Sequence, residues 1–379
     1  MNQPATPPNW KVEMANVLTV NGPRQLGFSH DDHERALQPG EVRLRSVLSG
    51  ISHGTEMNLY RGTSPFDNRV FDTELRAFVP ANESGVSYPL ALGYEMVSHV
   101  VEVGSGVEQV TVGDLVHTGT PHQDWTIVRL KDILDFGYPL AVLPVGSDPR
   151  PGMFVSIGSV ALQAIHDALI KVGDAVAVSG LGAIGLLVVQ LAARSGAGPV
   201  IALDPLPERR QMAEMLGATL VLDPTSTAAV GAMVKEANGG RGVDTAIETS
   251  GITAGLHGAI GSVTVGGRVV SVGFYQGDAV GLRLGEEWHH NRPTMVSSMG
   301  VWGCPHRDYP AWDRQRLTDT VVRLLYNGTL ETLPLISQIV PFEKAVEAYQ
   351  AIDAHGQGAL KVGMAYPGSE HLITGQAPT

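Results

Sequence analysis

Gly180, Gly182 and Gly185 stand in the spacing G-x-G-x-x-G, between an apolar, β-branched run ending at Ser179 and a helix-forming run from Ala183 to Ser195. Each has a separate job in holding a pyrophosphate. Gly180 makes the tight turn, Gly182 lets backbone approach the phosphates, and Gly185 lets the helix pack close on the strand. The helix N-terminus adds N–H groups without intrahelical partners and a partial positive charge. A second apolar strand, Val200 to Leu203, runs into Asp204, 22 residues past Gly182 (204 − 182). A carboxylate there accepts hydrogen bonds from a ribose diol and repels a 2′-phosphate. The set points to a bound dinucleotide, and to NAD rather than NADP. Ala183 and Ile184 complete the pyrophosphate loop, and Arg209 is expected to flank the adenine end. Two further strands are expected to end on Thr249-Ser250-Gly251 and Val272-Gly273-Phe274. That places Thr249, Ser250, Gly251, Gly273 and Phe274 at the carboxyl edge of the sheet, where this architecture holds a nicotinamide.

The elements that must carry these residues are legible in the periodicity. From residue 175 onward, strands are predicted over 175–179, 200–204, 220–223, 243–249, 268–274 and 295–299, with helical segments between them. Near-continuous apolar strands alternating with helices describe a doubly wound parallel α/β sheet. Before about Pro144 the pattern is short strands broken by Gly and Pro, predicted over 41–48, 96–103, 115–117 and 125–129. A long helix over 312–326 and a small αβ unit, helix 342–355 and strand 359–366, close the chain. The expected division is a β-rich domain over 1–155, a nucleotide domain over 156–303, and a return to the first domain over 304–379.

Whole-chain properties narrow the classes. At 379 residues the chain suits two domains. A net charge of −12 argues against nucleic acid and anionic membrane as partners, since both need basic patches. A lone Cys304 excludes an intramolecular disulfide and a cysteine-rich metal site. No signal peptide is visible in residues 1–10 and no apolar run reaches membrane-spanning length, so a cytoplasmic protein is expected.

This order of parts resembles the medium-chain dehydrogenase/reductase superfamily, the alcohol-dehydrogenase-like proteins, over nearly the whole chain. Gly50-Ile51-Ser52-His53-Gly54-Thr55-Glu56 looks like the family's G-I-C-G-[ST]-D, and Leu92-Gly93-Tyr94-Glu95 like its G-H-E. Val103-Gly104-x-Gly106-Val107, Val112-Gly113-Asp114-Leu115-Val116, Val172-Gly173-Asp174, Leu216-Gly217-Ala218 and Pro341-Phe342-Glu343-Lys344-Ala345 complete the series. The resemblance implies a GroES-like β-rich catalytic domain joined to a Rossmann domain, and a homodimer formed through the edge strand near 295–299. Nearest among its subgroups is the one around bacteriochlorophyllide hydroxyethyl dehydrogenase, which is similar in the G-[VI]-S-x-G-T-E run, in Pro121-His122 and in His289-His290-Asn291-Arg292. That implies a secondary alcohol/ketone pair, without implying the pigment.

The departures concern metal. Zinc-using members hold the ion with Cys, His and a third Cys, Asp or Glu. Here the first slot reads Ser52 or His53, the second is Tyr94, and the third falls in Gly158-Ser159-Val160. Hydroxyls are poor zinc ligands beside thiolate and imidazole, so no zinc is expected; a site rebuilt from His53, Glu95 and another His is the alternative. Without a Lewis acid, hydrogen-bond donors must stabilise the substrate oxyanion. Tyr94 is the expected donor, His53 the proton carrier, Thr55 the relay hydroxyl implied by the resemblance, and Glu95 and Glu56 acids behind them. Ser52 and Trp125, Trp302, Trp288, His122 and His290 are candidates for the substrate wall around a small-molecule substrate. The stretch 61–89 is longer than the family pattern and reads as either a lid or a decorated surface loop. The expected function is a zinc-independent, NAD-dependent interconversion of a secondary alcohol (polyol, sugar-like or biosynthetic intermediate) and its ketone. The alternatives are a quinone or enone reductase using NAD(P)H, and a dinucleotide-binding protein without turnover.

Overall fold

A computed structural model describes residues 14–64, 69–80, 85–136, 139–300, 310–355 and 358–374. The chain divides into two compact units, Met1–Ser156 with Thr332–Thr379, and Ile157–Glu331. The second boundary lies later than the sequence suggested. The helix Arg314–Tyr326 belongs to the second unit, where Val321 packs against Gly158 so closely that a Cβ there would sit 2.7 Å from its Cγ1.

The first unit is organised around the long strand Glu41–Ile51, of whose residues only Arg45 is not fully buried. It pairs antiparallel with Met96–Val103, Trp125–Arg129 and Lys361–Ala365, so the C-terminal strand is hydrogen-bonded directly to an N-terminal one. The sheet runs Leu140–Val142, Leu115–Thr118, Met96–Val103, Glu41–Ile51, Lys361–Ala365, Ile336–Pro341. Its core joins Leu18, Ile51, Met57, Leu92 and Met96 to Tyr349, Met364 and Tyr366 from the far end of the chain. The helix Thr55–Arg61 follows the central strand after one turn, ending on Gly62 at φ 69°. Within the 61–89 stretch the described residues form an antiparallel pair, Arg69–Asp72 with Ala77–Pro80, on which Phe71 and Phe78 meet edge to face at 5.3 Å.

The second unit holds a six-stranded, wholly parallel sheet in the order Leu220–Leu222, Val200–Leu203, Val176–Ser179, Val243–Glu248, Val263–Ser271, Thr294–Ser297. In sequence order that is 3-2-1-4-5-6, the dinucleotide-binding topology whose switch point falls beside the first strand. The glycine loop follows that strand. Helix Ala183–Arg194 then buries Leu186 to Ala192 almost completely, a run apolar but for Gln190, whose amide is bonded to the Glu331 backbone.

Candidate active site

At the switch point, the loop Ser179–Gly185 has the geometry its spacing implied. Gly180 is at φ 88°, and a Cβ there would lie 2.7 Å from the Ser250 backbone nitrogen. At Gly185 a Cβ would come within 1.9 Å of the Gly180 carbonyl oxygen, so strand and helix touch through bare backbone. Gly182 is different: a Cβ there meets nothing within 4 Å. The space above it is open and faces the start of helix Ala183–Arg194, as a phosphate cradle requires. Ala183 and Ile184 are half-buried in that first turn.

Asp204 is 3% exposed. Its Oδ2 accepts the Leu181 N–H at 2.8 Å and its Oδ1 the Leu206 N–H at 2.9 Å, with the Arg209 guanidinium 3.7 Å away. One acceptor position on each oxygen is left for a diol. The acid thus ties the glycine loop to the turn after the second strand. At the strand ends, fully buried Glu248 accepts from the Ser250 N–H at 2.7 Å, the Gly251 N–H at 3.3 Å, and the Ser250 and Tyr275 hydroxyls. Thr249 donates to the Gly180 carbonyl at 2.6 Å. Gly251 and Gly273 are pressed together, since a Cβ on Gly273 would lie 2.3 Å from the Gly251 nitrogen; Phe274 beside them is 47% exposed. An open cradle, an acid with acceptor positions to spare and a tied strand edge fit a dinucleotide.

In the first unit, the turn after Glu41–Ile51 and the segment Leu92–Glu95 bring hydroxyls together. The Tyr94 phenol donates to Ser52 Oγ at 2.6 Å and also bonds Thr55. Burial of the phenol, with the nearby Glu95 and Glu56 carboxylates, pushes its ionisation well up, so it stays a donor. Glu56 accepts the Ser52 N–H at 3.1 Å on one oxygen; on the other it accepts from His122 Nε2 at 2.9 Å and from the Tyr349 hydroxyl. A carboxylate can only accept here, so His122 Nε2 carries the proton, and Nδ1 faces Ser49 Oγ at 2.9 Å. Ser49 in turn meets the Tyr366 hydroxyl at 2.9 Å. Burial alone would raise the Glu56 carboxyl, but the His122 and Tyr349 contacts hold it below its ordinary value. Glu95 is fully buried and bonded to Lys361, which also donates to the Ile51 carbonyl at 3.2 Å. His117, pulled down to about 3 by burial, is neutral and meets Ser156 Oγ at 2.9 Å; Ser156 donates to the Tyr94 carbonyl at 3.4 Å.

The comparisons with known proteins decide the family. The description "Alcohol dehydrogenase GroES-like domain" matches residues 38–138, and "Zinc-binding dehydrogenase" matches residues 183–315. D-guloside 3-dehydrogenase of Escherichia coli K12 is 35% identical over 354 residues, covering 92% of this chain and 99% of that protein. The chain belongs to the medium-chain dehydrogenase/reductase superfamily. Among solved structures, 2R,3R-butanediol dehydrogenase from Bacillus subtilis shares the fold at a TM-score of 0.73 and 24% identity, covering 93% of this chain and 99% of that one. A putative zinc-binding dehydrogenase from Sinorhizobium meliloti, bound to NADP, does so at 0.74 and 21%, covering 93% and 100%. As a medium-chain dehydrogenase/reductase, the protein is an oxidoreductase enzyme of a dinucleotide-binding family.

The superfamily's catalytic zinc tests poorly against this donor set. Ser52 Oγ and the Tyr94 phenol are hydrogen-bonded to one another, and the phenol is held far from the anionic form that would bind a cation. Among the described residues, His257, Glu286 and Glu287 alone bring three imidazole or carboxylate ligand atoms together, and they lie in the other unit with the Arg283 guanidinium bonded to His257 and Glu286.

Of the residues expected around the substrate, the structure brings Ser52, Thr55, Tyr94, Glu56 and Glu95 together in one unit, with His53 half-buried in the turn beside them. Three of the residues named for a substrate wall are engaged in packing or hydrogen bonds within their own units. Trp125 is 8% exposed, paired in the sheet with Arg45, whose guanidinium covers its ring at 5.8 Å; its surface goes into packing. His122 is wholly buried in the Glu56 network, and Trp288 packs on the core of the second unit. Trp302 and Cys304 lie outside the described residues. Sequence reasoning missed Lys361, Tyr349, Tyr366 and Ser49. A lysine inside the apolar strand Lys361–Ala365 was the one signal available, because a charge there needs a buried partner. No helix among the described residues is long and apolar enough to cross a membrane.

Proposed function

We propose that this enzyme is a zinc-independent, NAD-linked dehydrogenase that oxidises a secondary hydroxyl of a polyol or sugar-like compound to the ketone. The observation that carries the reading is the Tyr94–Ser52 hydroxyl pair at 2.6 Å in the slots where the family's metal-binding members place zinc ligands. Support for a carbohydrate substrate comes from the 35% identity to D-guloside 3-dehydrogenase over almost that protein's full length. The likeness to the bacteriochlorophyllide hydroxyethyl dehydrogenase subgroup supports the metal-free part and not a pigment substrate. Asp204 supports NAD, because a carboxylate this buried repels a 2′-phosphate.

Bound NAD supplies the two-electron acceptor. Everything else falls to side chains of this chain. Gly180, Gly182, Ala183, Ile184 and Gly185 hold the pyrophosphate, Asp204 and Arg209 the adenine ribose, and Thr249, Ser250, Gly251, Gly273 and Phe274 the nicotinamide end. Ser52 accepts from Tyr94 and so has its own proton to direct at the substrate oxygen, where the two hydroxyls stabilise the developing charge. Thr55 steadies Tyr94, Glu56 fixes the Ser52 backbone, and His53 borders the pair.

The test is NADH formation from methyl D-gulosides, methyl D-glucosides and 2,3-butanediol, with and without a strong chelator. Turnover that survives the chelator in metal-free protein, with NAD preferred over NADP, is the expected result. Turnover abolished by the chelator and restored by zinc would refute the metal-free mechanism.

A further inference from the structure

His122 stands in a bend between strands Leu115–Thr118 and Trp125–Arg129, wholly buried. Both of its backbone polar atoms and both of its ring nitrogens are engaged, as burial requires. Its N–H donates to the Leu92 carbonyl at 2.7 Å, and its carbonyl accepts the Leu18 N–H at 2.9 Å. The ring lies on the backbone that leads into Tyr94. Gly93, at φ 115°, is so close that a Cβ there would sit 2.6 Å from the His122 nitrogen and 2.8 Å from its Cγ. The two ring nitrogens meet residues that flank Ser52 in the chain. Nδ1 faces Ser49 Oγ at 2.9 Å, and Nε2 donates to Glu56 Oε2 at 2.9 Å. The other oxygen of Glu56 accepts the Ser52 N–H at 3.1 Å. One buried ring thus joins the turn bearing Ser52 to the segment bearing Tyr94, a residue 42 positions further on.

We propose that His122 is the positioning residue of the hydroxyl pair: it holds the Ser52 turn through Glu56, bears on the Tyr94 segment through Gly93, and so sets the reach between the two hydroxyls. This rests on the dehydrogenase reading above. Two hydroxyls stabilise one developing charge only while both stay within hydrogen-bond distance of it. A misplacement of about 1 Å costs roughly a hundredfold in rate. Ser52 and Tyr94 come from different segments, so their 2.6 Å contact is not fixed by local chain geometry. The imidazole seated on the bare backbone of Gly93 fixes it. Tyr349 donates to the same Glu56 oxygen, from helix Ala345–His355, but it ties the acid to the returning chain and not to the Tyr94 segment. Burial keeps His122 itself from the substrate, so it acts through Glu56 and the Gly93 backbone.

An asparagine amide reaches where Nδ1 stands, and a glutamine amide where Nε2 stands. His122→Asn therefore keeps the Ser49 partner and drops the Glu56 donor, while His122→Gln does the reverse. Each loses one buried hydrogen bond, so a merely structural histidine would give the same loss in both. With the best hydroxy compound of the screen above, kcat should fall at least thirtyfold in His122→Asn, with KM for NAD within threefold, and stay within fivefold in His122→Gln. Hydrogen exchange at the Ser52 amide, read without substrate, should be at least tenfold faster in His122→Asn and within threefold of the parent in His122→Gln. Tyr349→Phe should leave both readings within threefold. Equal kcat in the two His122 variants, a slower His122→Gln, or a Tyr349→Phe as slow as His122→Asn would overturn the assignment. If His122→Asn does not fold, His122→Gln decides, and a loss beyond tenfold there overturns it. Equal Ser52 exchange in the two variants would sink this inference whatever the turnover. No NADH from the unmodified protein, with the exchange rates as expected, would sink the dehydrogenase reading instead.

Discussion

Two glycines of the same loop separate binding from folding. A methyl group on Gly182 meets no protein atom within 4 Å, so Gly182→Ala should leave the unfolding temperature within a few degrees while weakening NAD at least tenfold by titration. A methyl group on Gly185 would strike the Gly180 carbonyl at 1.9 Å, and Gly185→Ala should cost folded protein outright. Equal NAD affinity in Gly182→Ala would mean that the phosphates lie elsewhere. The Lys361–Glu95 pair gives a residue-scale prediction of stability. A carboxyl raised from 4.5 to about 7 binds its proton better in the folded than in the unfolded state, so its contribution to stability declines as pH rises through that window. Removing the Lys361 charge raises the group further. Lys361→Met should therefore lose about 3–5 kcal/mol at pH 8, where a buried carboxylate is left alone, and clearly less at pH 5. Equal losses in urea denaturation at both pH values would mean that Lys361 does not compensate the Glu95 charge.

At the scale of elements, the nicotinamide end depends on strand ends that one buried acid ties together. Glu248 at the end of Val243–Glu248 collects donors from Ser250, Gly251 and Tyr275, and so joins the turns that follow two neighbouring strands. Glu248→Gln replaces one acceptor oxygen with a donor and leaves Tyr275 or the Ser250–Gly251 turn unsatisfied. NAD affinity should drop about tenfold, with a stability loss of about 1–3 kcal/mol; unchanged affinity would mean that these turns do not shape the site. How legible each element was follows from what its residues could reveal. The strands Val176–Ser179 and Val200–Leu203 and helix Ala183–Arg194 read directly, because both faces of a parallel sheet are buried and the glycines mark the turns. Helix Thr55–Arg61 did not read: seven residues with a charge at each end carry too little periodicity. The hydroxyls of Ser52 and Tyr94 were visible from motif alignment. The buried network beside them was not, because Tyr349 on Glu56, Lys361 on Glu95 and Tyr366 on Ser49 reach across 293, 266 and 317 residues, and no local pattern reports a contact made only by the return of the chain.

For the whole molecule, the open question is what covers the outer edge of the parallel sheet. Strand Thr294–Ser297 pairs on one side with Val263–Ser271 and, among the described residues, ends the sheet on the other, leaving a row of backbone groups of the kind that soluble proteins cover or guard with charge. It carries no charge: its residues are Thr294, Met295, Val296 and Ser297, with Met295 42% exposed. We propose that a second copy of this chain pairs there by an isologous contact. Each chain brings a net charge of −12, so the copies repel at long range while the contact itself is uncharged. Added salt screens that repulsion without touching the contact. The enzyme should sediment at twice the chain mass, and its dimer should tighten between 50 and 500 mM salt. Met295→Glu should produce a folded monomer that still binds NAD. A dimer that loosens with salt would point to ion pairs and hence to another surface, and a dimer undisturbed by Met295→Glu would rule out this edge.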